Sequence, residues 1–288
     1  MALTRRRFMT SIALAGAYAA WPFKDVLAHA PLYTWRGILL GADVQMTFAH
    51  ENTNTAEQIA KKCVGEIKRL ENIFTLYDSH SELSRLNANG YIDTPSKEFV
   101  DILKRANHMN ALTDGAFDIT VRPVENGVKN ASIGMDKLEF NEEHIRFKGE
   151  NMALTLNGIA QGYITDRATD LLKQEGLTNV LVELGEKRAI GDHPSGRPWF
   201  LAADGYDAPI PLIDQALATS ASHSPNDRKP HIFDPKTALP VASHKMISVK
   251  ATNATDADAL STAFIGMSTQ AIGDIKNSHQ DILAVYTS

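Results

Sequence analysis

An α+β fold, built as one large mixed domain, is predicted for this chain on three observations. Segments of strand and helix pattern are intermixed without the regular βαβ beat of a doubly wound sheet. No Pro/Ser-rich linker divides the chain after its N-terminal segment, and there is no internal repeat or low-complexity run. A length of 288 residues allows one large core, and 43% hydrophobic with 22% charged residues is an ordinary globular composition.

The N-terminal segment is read as separate from the fold. Thr4-Arg5-Arg6-Arg7-Phe8-Met9 is a twin-arginine pattern, followed by an apolar run over 12–20. A cut after Ala28 is favoured over one after Ala30, because the latter leaves Pro31, an imino acid without the ordinary N–H, next to the cut. The run is well short of the roughly 20 residues that span a bilayer, so a cleaved signal is preferred to a retained anchor. The expectation is a signal peptide over 1–28, a folded domain over 29–288, and a periplasmic address. Of 29 basic and 34 acidic residues, the first 28 positions hold Arg5, Arg6, Arg7, Lys24 and Asp25. The remainder has a net charge of −8 and no basic block to offset it, which argues against nucleic acid as a partner.

In chain order, residues 36–49 carry a strand pattern interrupted by Gly41, where a bulge or a close backbone approach is expected. Residues 55–74 form an amphipathic helix with the stripe Ile59, Cys63, Ile67, Leu70 and Phe74, which makes the one cysteine a core residue. A short turn of helix follows at SELSRLN (81–87), and Ser96 caps a helix with the stripe Phe99, Leu103, Ala106 and Met109. Gly115 ends that helix in a left-handed conformation, and residues 115–121 lead into a short strand. Strands are expected at 144–147 and 152–156. Asn157-Gly158-Ile159 opens a helix that runs to Glu175, where a glycine-rich entry either presents N–H groups to an anion or simply allows close packing. Strands at 180–184, 199–203, 217–219 and 246–251 follow, with a mobile polar loop over 220–230, and the chain closes on a strand at 282–286.

The last helical segment, 251–267, places Asp258 and Thr262 one turn apart on one face. A carboxylate and a hydroxyl so spaced suit Mg²⁺, which takes hard oxygen ligands. The alternative is that Asp258 starts the helix near its positive end and Thr262 is a solvated turn residue.

Five stretches occur in order: SELSRLN (81–87), TDGAFDITVRP (113–123), GIAQGYITDRA (158–168), ALATS (216–220) with PHIFDP (230–235), and DADALSTA (256–263). Together they resemble the ApbE family of FAD:protein FMN transferases, from about Leu40 to Gly266. The resemblance implies a domain of the flavin transferase type that binds FAD as substrate together with Mg²⁺. It further implies transfer of FMN to a threonine hydroxyl of a membrane-associated redox protein, with release of AMP. On that resemblance the metal ligands fall on Asp258, Thr262 and the carbonyl of Gly158. The cofactor contacts fall on Leu40, Tyr77, Ala116, Phe117, Asp118, Thr155, Gln161 and Ile232. His231 becomes the candidate general acid–base, or else a residue that only binds phosphate or fixes its loop; Asp234 orients that loop.

Departures from the family pattern are Thr155 for an Asp, Leu184 for the first glycine of a pair, and Ala42, Ala221 and Ala238 for Thr, Gly and Gly. Two other functions share the same residues: a carrier that holds FAD without transfer, and an Mg²⁺-dependent pyrophosphatase that splits FAD to FMN and AMP.

Overall fold

A computed structural model describes residues 30–202, 206, 208–223 and 231–287. The signal expected over 1–28 therefore lies outside the described residues, as do positions 224–230 of the polar loop. Along the chain run β1 (Leu32–Leu39), β2 (Ala42–Ala49), α1 (Thr53–Phe74), α2 (Glu82–Asn89), β3 (Tyr91–Asp93), α3 (Lys97–Leu112), α4 (Arg122–Glu125), β4 (Leu138–Phe140) and β5 (His144–Phe147). Then come α5 (Ala160–Gln174), β6 (Val180–Leu184), β7 (Glu186–Ile190), β8 (Trp199–Leu201), β9 (Ile210–Leu212), β10 (Ala216–Ala221), β11 (Met246–Ala251), α6 (Ala254–Phe264), α7 (Thr269–Ser278) and β12 (Ile282–Thr287).

Seven strands make one sheet in the order β1-β2-β6-β7-β10-β11-β12, with every neighbouring pair antiparallel. The expected α+β class is the observed one. Helices α1, α5 and α6 cover one face. Val180 and Val182 of β6 join their core, while Leu181 joins a smaller cluster with Trp199, Leu201, Ile210 and Leu212 of the β8–β9 hairpin. Burial on both faces explains why residues 180–184 read as a continuous apolar run instead of an alternating one.

The helix starts follow from side-chain caps. Asn52, Ser81 and Ser96 each accept a backbone N–H from the first turn of α1, α2 and α3, which supplies one of the bonds a helix N-terminus lacks. Cys63 is fully buried, donates to Ala168 O, and has its thiol pushed up to about 12 by burial. It is a core residue as expected, and an unreactive one.

Four local expectations are corrected. Residues 36–49 are not a single interrupted strand but a hairpin whose two-residue turn, Leu40-Gly41, has φ of +54° and +72° and pairs Leu39 with Ala42. Two left-handed residues are what a tight hairpin turn requires, and leucine there gives no sign of it. Residues 115–121 do not enter a strand. Asp118 accepts from Thr120 N and Thr120 Oγ1, and that local turn closes a short 3₁₀ segment at Ile119–Val121.

Residues 152–156 are not a strand either. The amide of Asn87 brackets Leu154, accepting from its N–H and donating to its carbonyl, so a side chain takes the place of a neighbouring strand. Helix α7, absent from the sequence reading, buries fully only Ile272, too little apolar surface to produce a pattern. Ser220 and Ala221, read as part of the polar loop, end β10.

Helices α5 and α6 pack closely at Gly162. A methyl group built there would lie 2.3 Å from Ala254 O and 2.8 Å from Asp258 Cβ. Gly162→Ala is therefore expected to force the helices apart and destabilise the protein by about 1–3 kcal/mol. Thermal unfolding reads this directly, and an unchanged midpoint would show that the contact is not needed.

Candidate functional site

The site is built on the facing ends of α5 and α6. Helix α6 starts at its N-cap Asn253, whose side chain accepts from Asp256 N. Asp258 is thus the fifth helical residue, one turn beyond the N-terminus, and its carboxylate does not cap its own helix. It reaches across to α5, where Gly162 N–H donates to Asp258 Oδ2 at 2.9 Å. In return Asp166 of α5 accepts from Ala254 N, Thr255 N and Thr255 Oγ1 at the start of α6. Each helix is capped by a carboxylate of the other.

The two carboxylates are balanced differently. Asp166 forms an ion pair with Arg188 at 2.8 Å, and Arg188 also meets Asp170 at 3.2 Å. Asp258, 4% exposed, has no ion pair among the described residues. Burial first, and then repulsion from Glu186 and Asp166, pushes its carboxyl well above the usual carboxylate range, against the pull of the Gly162 bond. Glu186, at the start of β7, is also buried and is pushed up to about 7, mainly by burial.

Thr262 lies a turn further along α6 and half-buried. Ser220 Oγ of β10 is 3.2 Å from Thr262 Oγ1 and 2.8 Å from Ser261 Oγ. The Gly158 turn touches the same hydroxyl, since a methyl built on Gly158 would fall 2.9 Å from Thr262 Oγ1. Gly158, far in sequence from Asp258 and Thr262, is thus brought beside them at the start of α5. Among the described residues no three or more His, Cys, Asp and Glu side chains form a metal cage. The expected donor set is of another kind, with one carboxylate, one hydroxyl and one turn carbonyl.

At the α5 entry the N–H groups of Ile159 and Ala160 are taken by Leu156 O, and that of Gly162 by Asp258. Most of the donors expected for an anion are therefore engaged within the protein. Gln161 turns its amide toward Leu184 O at 3.5 Å and packs against Gly185.

The other expected contacts are placed as follows. Leu40 sits half-buried in the β1–β2 turn, and Tyr77, after α1, is 94% exposed, which excludes the half-buried role. Ala116 is half-buried and Phe117 buried, with the Phe117 carbonyl accepting from Asn110. Asp118 is buried with its oxygens engaged by Thr120 and Asn110, so it acts as a turn cap. Thr155 is buried, its N–H bonded to Ile119 O. Ile232 accepts Val241 N–H on its carbonyl, and His231 beside it is exposed. Asp234 closes the following turn by accepting Lys236 N–H, and Lys236 Nζ reaches Asp114 Oδ2 at 2.7 Å, joining the 231–240 loop to the 113–118 loop.

The sequence reading missed Glu186, Ser220 and Asp166. An acidic residue flanked by the runs Val180–Leu184 and Ala189-Ile190 was the available signal for Glu186.

With this geometry the relatives can be set beside the chain. The family model described as the ApbE family matches residues 40–287. A protein of Haemophilus influenzae named FAD:protein FMN transferase is 30% identical over 251 residues, covering 73% of this chain and 72% of its own length. The crystal structure of the ApbE protein of Thermotoga maritima has 26% sequence identity and a TM-score of 0.76, and the match covers 89% of this chain and 94% of that one. The apo flavinyl transferase ApbE of Pseudomonas stutzeri, 22% identical, shares the fold with a TM-score of 0.78, covering 91% of this chain and 95% of that one.

The raised Glu186 carboxyl predicts a pH dependence. A carboxyl whose folded pKa exceeds its unfolded value favours folding fully below the unfolded value, near 4.5, and loses that contribution as pH rises toward about 7. In chelator, the stability of Glu186→Gln relative to the unaltered chain should therefore increase from pH 4.5 to 7. Urea unfolding across that range measures the difference, and a constant difference would contradict the assignment.

Proposed function

The chain belongs to the ApbE family, and we propose that it is an FAD:protein FMN transferase acting on a threonine hydroxyl of a partner protein. The observation that carries this reading is the buried Asp258 carboxylate, without an ion pair among the described residues, set beside Thr262 and the Gly158 turn. Isolated buried carboxylates are costly, and a bound cation resolves the cost. A carboxylate, a hydroxyl and a carbonyl are hard oxygen donors of the kind Mg²⁺ takes, with positions left for water and phosphate. Bound there, Mg²⁺ would supply positive charge to the pyrophosphate of FAD and to the departing phosphate.

In the proposed reaction the threonine oxygen bonds to the phosphorus on the riboflavin side. The bond from that phosphorus to the bridging oxygen breaks, and AMP leaves with the electron pair. The hydroxyl proton is assigned to His231, since the imidazole side chain is as a type the one suited to act as a base near neutral pH. Exposed Tyr77 is proposed as a platform for a ring of FAD, since an aromatic face left to solvent is available for stacking. Leu40, Ala116, Phe117, Thr155, Gln161 and Ile232 are proposed as walls of the same pocket. Residues 1–28 are proposed as a twin-arginine export signal, which would set the reaction in the periplasm on a membrane-associated redox protein.

The test mixes purified protein with FAD, Mg²⁺ and a threonine-bearing acceptor domain. Equal amounts of AMP and of a fluorescent acceptor band that survives denaturing electrophoresis are expected. AMP without a labelled acceptor would make the protein a pyrophosphatase, and retained FAD without AMP would make it a carrier. Asp258→Asn keeps an acceptor for Gly162 N–H but loses the charge. It should lower transfer by ~100-fold or more without lowering the unfolding midpoint, and full transfer by this variant would sink the metal assignment.

A further inference from the structure

Glu186 is buried at 7% exposure and has no part in the reaction proposed above. It stands where two strands part. The β7–β10 ladder pairs Ala216 with Arg188 and Leu217 with Lys187, and beyond that pair Thr219 N–H finds its acceptor in Glu186 Oε2 at 3.2 Å. The next residue of β10 is Ser220, whose hydroxyl meets Thr262 and Ser261 on α6. Glu186 is therefore held one residue from the contact between β10 and the Thr262 hydroxyl.

The other side of Glu186 leads to the same place. Gly185 packs on Gln161, for a methyl built on it would lie 2.8 Å from Gln161 Nε2. Gln161 is followed by Gly162, whose N–H donates to Asp258. Asp258 thus approaches from the helix layer and Glu186 from the sheet, and the two repel each other. The basic side chains on the same strand are otherwise engaged. Lys187 Nζ reaches Gly185 O at 3.5 Å, and Arg188 is paired with Asp166 and Asp170. Among the described residues neither Glu186 nor Asp258 has an ion pair.

We infer that Glu186 is a further residue of the divalent-cation site, and that with Asp258 it lets the protein hold Mg²⁺ before FAD arrives. The inference rests on the proposed metal reading of Asp258, Thr262 and Gly158. Its physical basis is charge matching. One buried carboxylate leaves half the charge of a divalent ion unbalanced, whereas two neutralise it without help from a pyrophosphate. The Thr219 bond fixes the orientation of the Glu186 carboxylate, as outer partners of metal ligands commonly do.

The experiment titrates Mg²⁺ into FAD-free, chelator-treated protein by calorimetry, for the unaltered chain, Glu186→Gln and Asp258→Asn. The glutamine keeps an oxygen for Thr219 N–H, so the strand pair is preserved. The unaltered chain should bind one Mg²⁺, Asp258→Asn should bind none, and Glu186→Gln should bind ~10-fold or more weakly. Equal affinity of Glu186→Gln and the unaltered chain, with binding lost in Asp258→Asn, would overturn the inference and leave the metal reading standing. Mg²⁺ binding by the unaltered chain only when FAD is present would do the same. Unchanged binding by Asp258→Asn would overturn the metal reading itself. Should Glu186→Gln fail to fold, Glu186→Asp keeps the charge but shortens its reach, and the same weakening is expected, with undiminished affinity counting against the inference.

Discussion

The exchange of carboxylates between α5 and α6 is the interaction on which the rest of the site depends. Asp166 caps α6 and Asp258 bonds the first turn of α5, so neither helix can shift without exposing the N-terminal groups of the other. The exchange requires the two backbones to approach closely, which is why position 162 has no side chain. It also sets the direction of both helices against the sheet, with α5 over β6 and β7 and α6 over β10 and β11. The Gly158 turn, the Thr262 hydroxyl and the strand bearing Ser220 then meet as a consequence of the packing.

The exchange is reciprocal but unequal: Asp166 accepts three donors from α6 and Asp258 one from α5, and the charges around them differ as well, which separates scaffold from site. Asp166 has Arg188 beside it and is a closed structural pair, whereas Asp258 faces a second carboxylate. A purely structural role for Asp258 would be served as well by asparagine, which can accept the same N–H without the cost of burying a charge. The retained carboxylate makes sense where a cation completes the site. Asp166, with three donors and Arg188 beside it, is a completed structural group, whereas Asp258, with one donor and no ion pair among the described residues, keeps oxygen left over for the proposed metal.

What could be read from the sequence was whatever short-range chemistry determines. The caps Ser81 and Ser96, the stripe of α1 and the buried run of β6 each follow from a few neighbouring residues. The hairpin at Leu40-Gly41 was hidden because its first left-handed position holds leucine. The loss of a strand at 152–156 was hidden because its partner is a side chain 67 residues away, Asn87, at the end of the SELSRLN turn of helix. The same limit applied at the site. Asp258 and Thr262 were visible as a one-turn pair, but Gly162 as N–H donor to Asp258, Arg188 as counter-charge to Asp166, and Glu186 as neighbour depend on how a helix pair lies on a sheet. The alternative that Asp258 starts its helix failed on a shift of a few residues, since the cap is Asn253.

The departures from the family pattern sort themselves by backbone conformation. Leu184 is a buried strand residue, and the left-handed position at that corner belongs to Gly185, with φ of +100°, so leucine there meets no backbone strain. Ala221 lies in β10, and Ala42 in β2 beside the hairpin turn, both within regular pairing. Thr155 anchors its segment to Ile119 O, a backbone bond that any residue but proline can make. Ala238 is different: its φ is +57°, a conformation that costs an L-residue roughly 1–2 kcal/mol more than glycine. The strain is confined to a turn closed by Ala238 N–H to Asp234 O and Asp234 N–H to Leu239 O. That turn follows His231 directly and is tied through Lys236 to Asp114. Divergence in this chain therefore bears on the loop proposed to handle the proton, while the helix pair proposed to hold the ion keeps every residue its geometry requires.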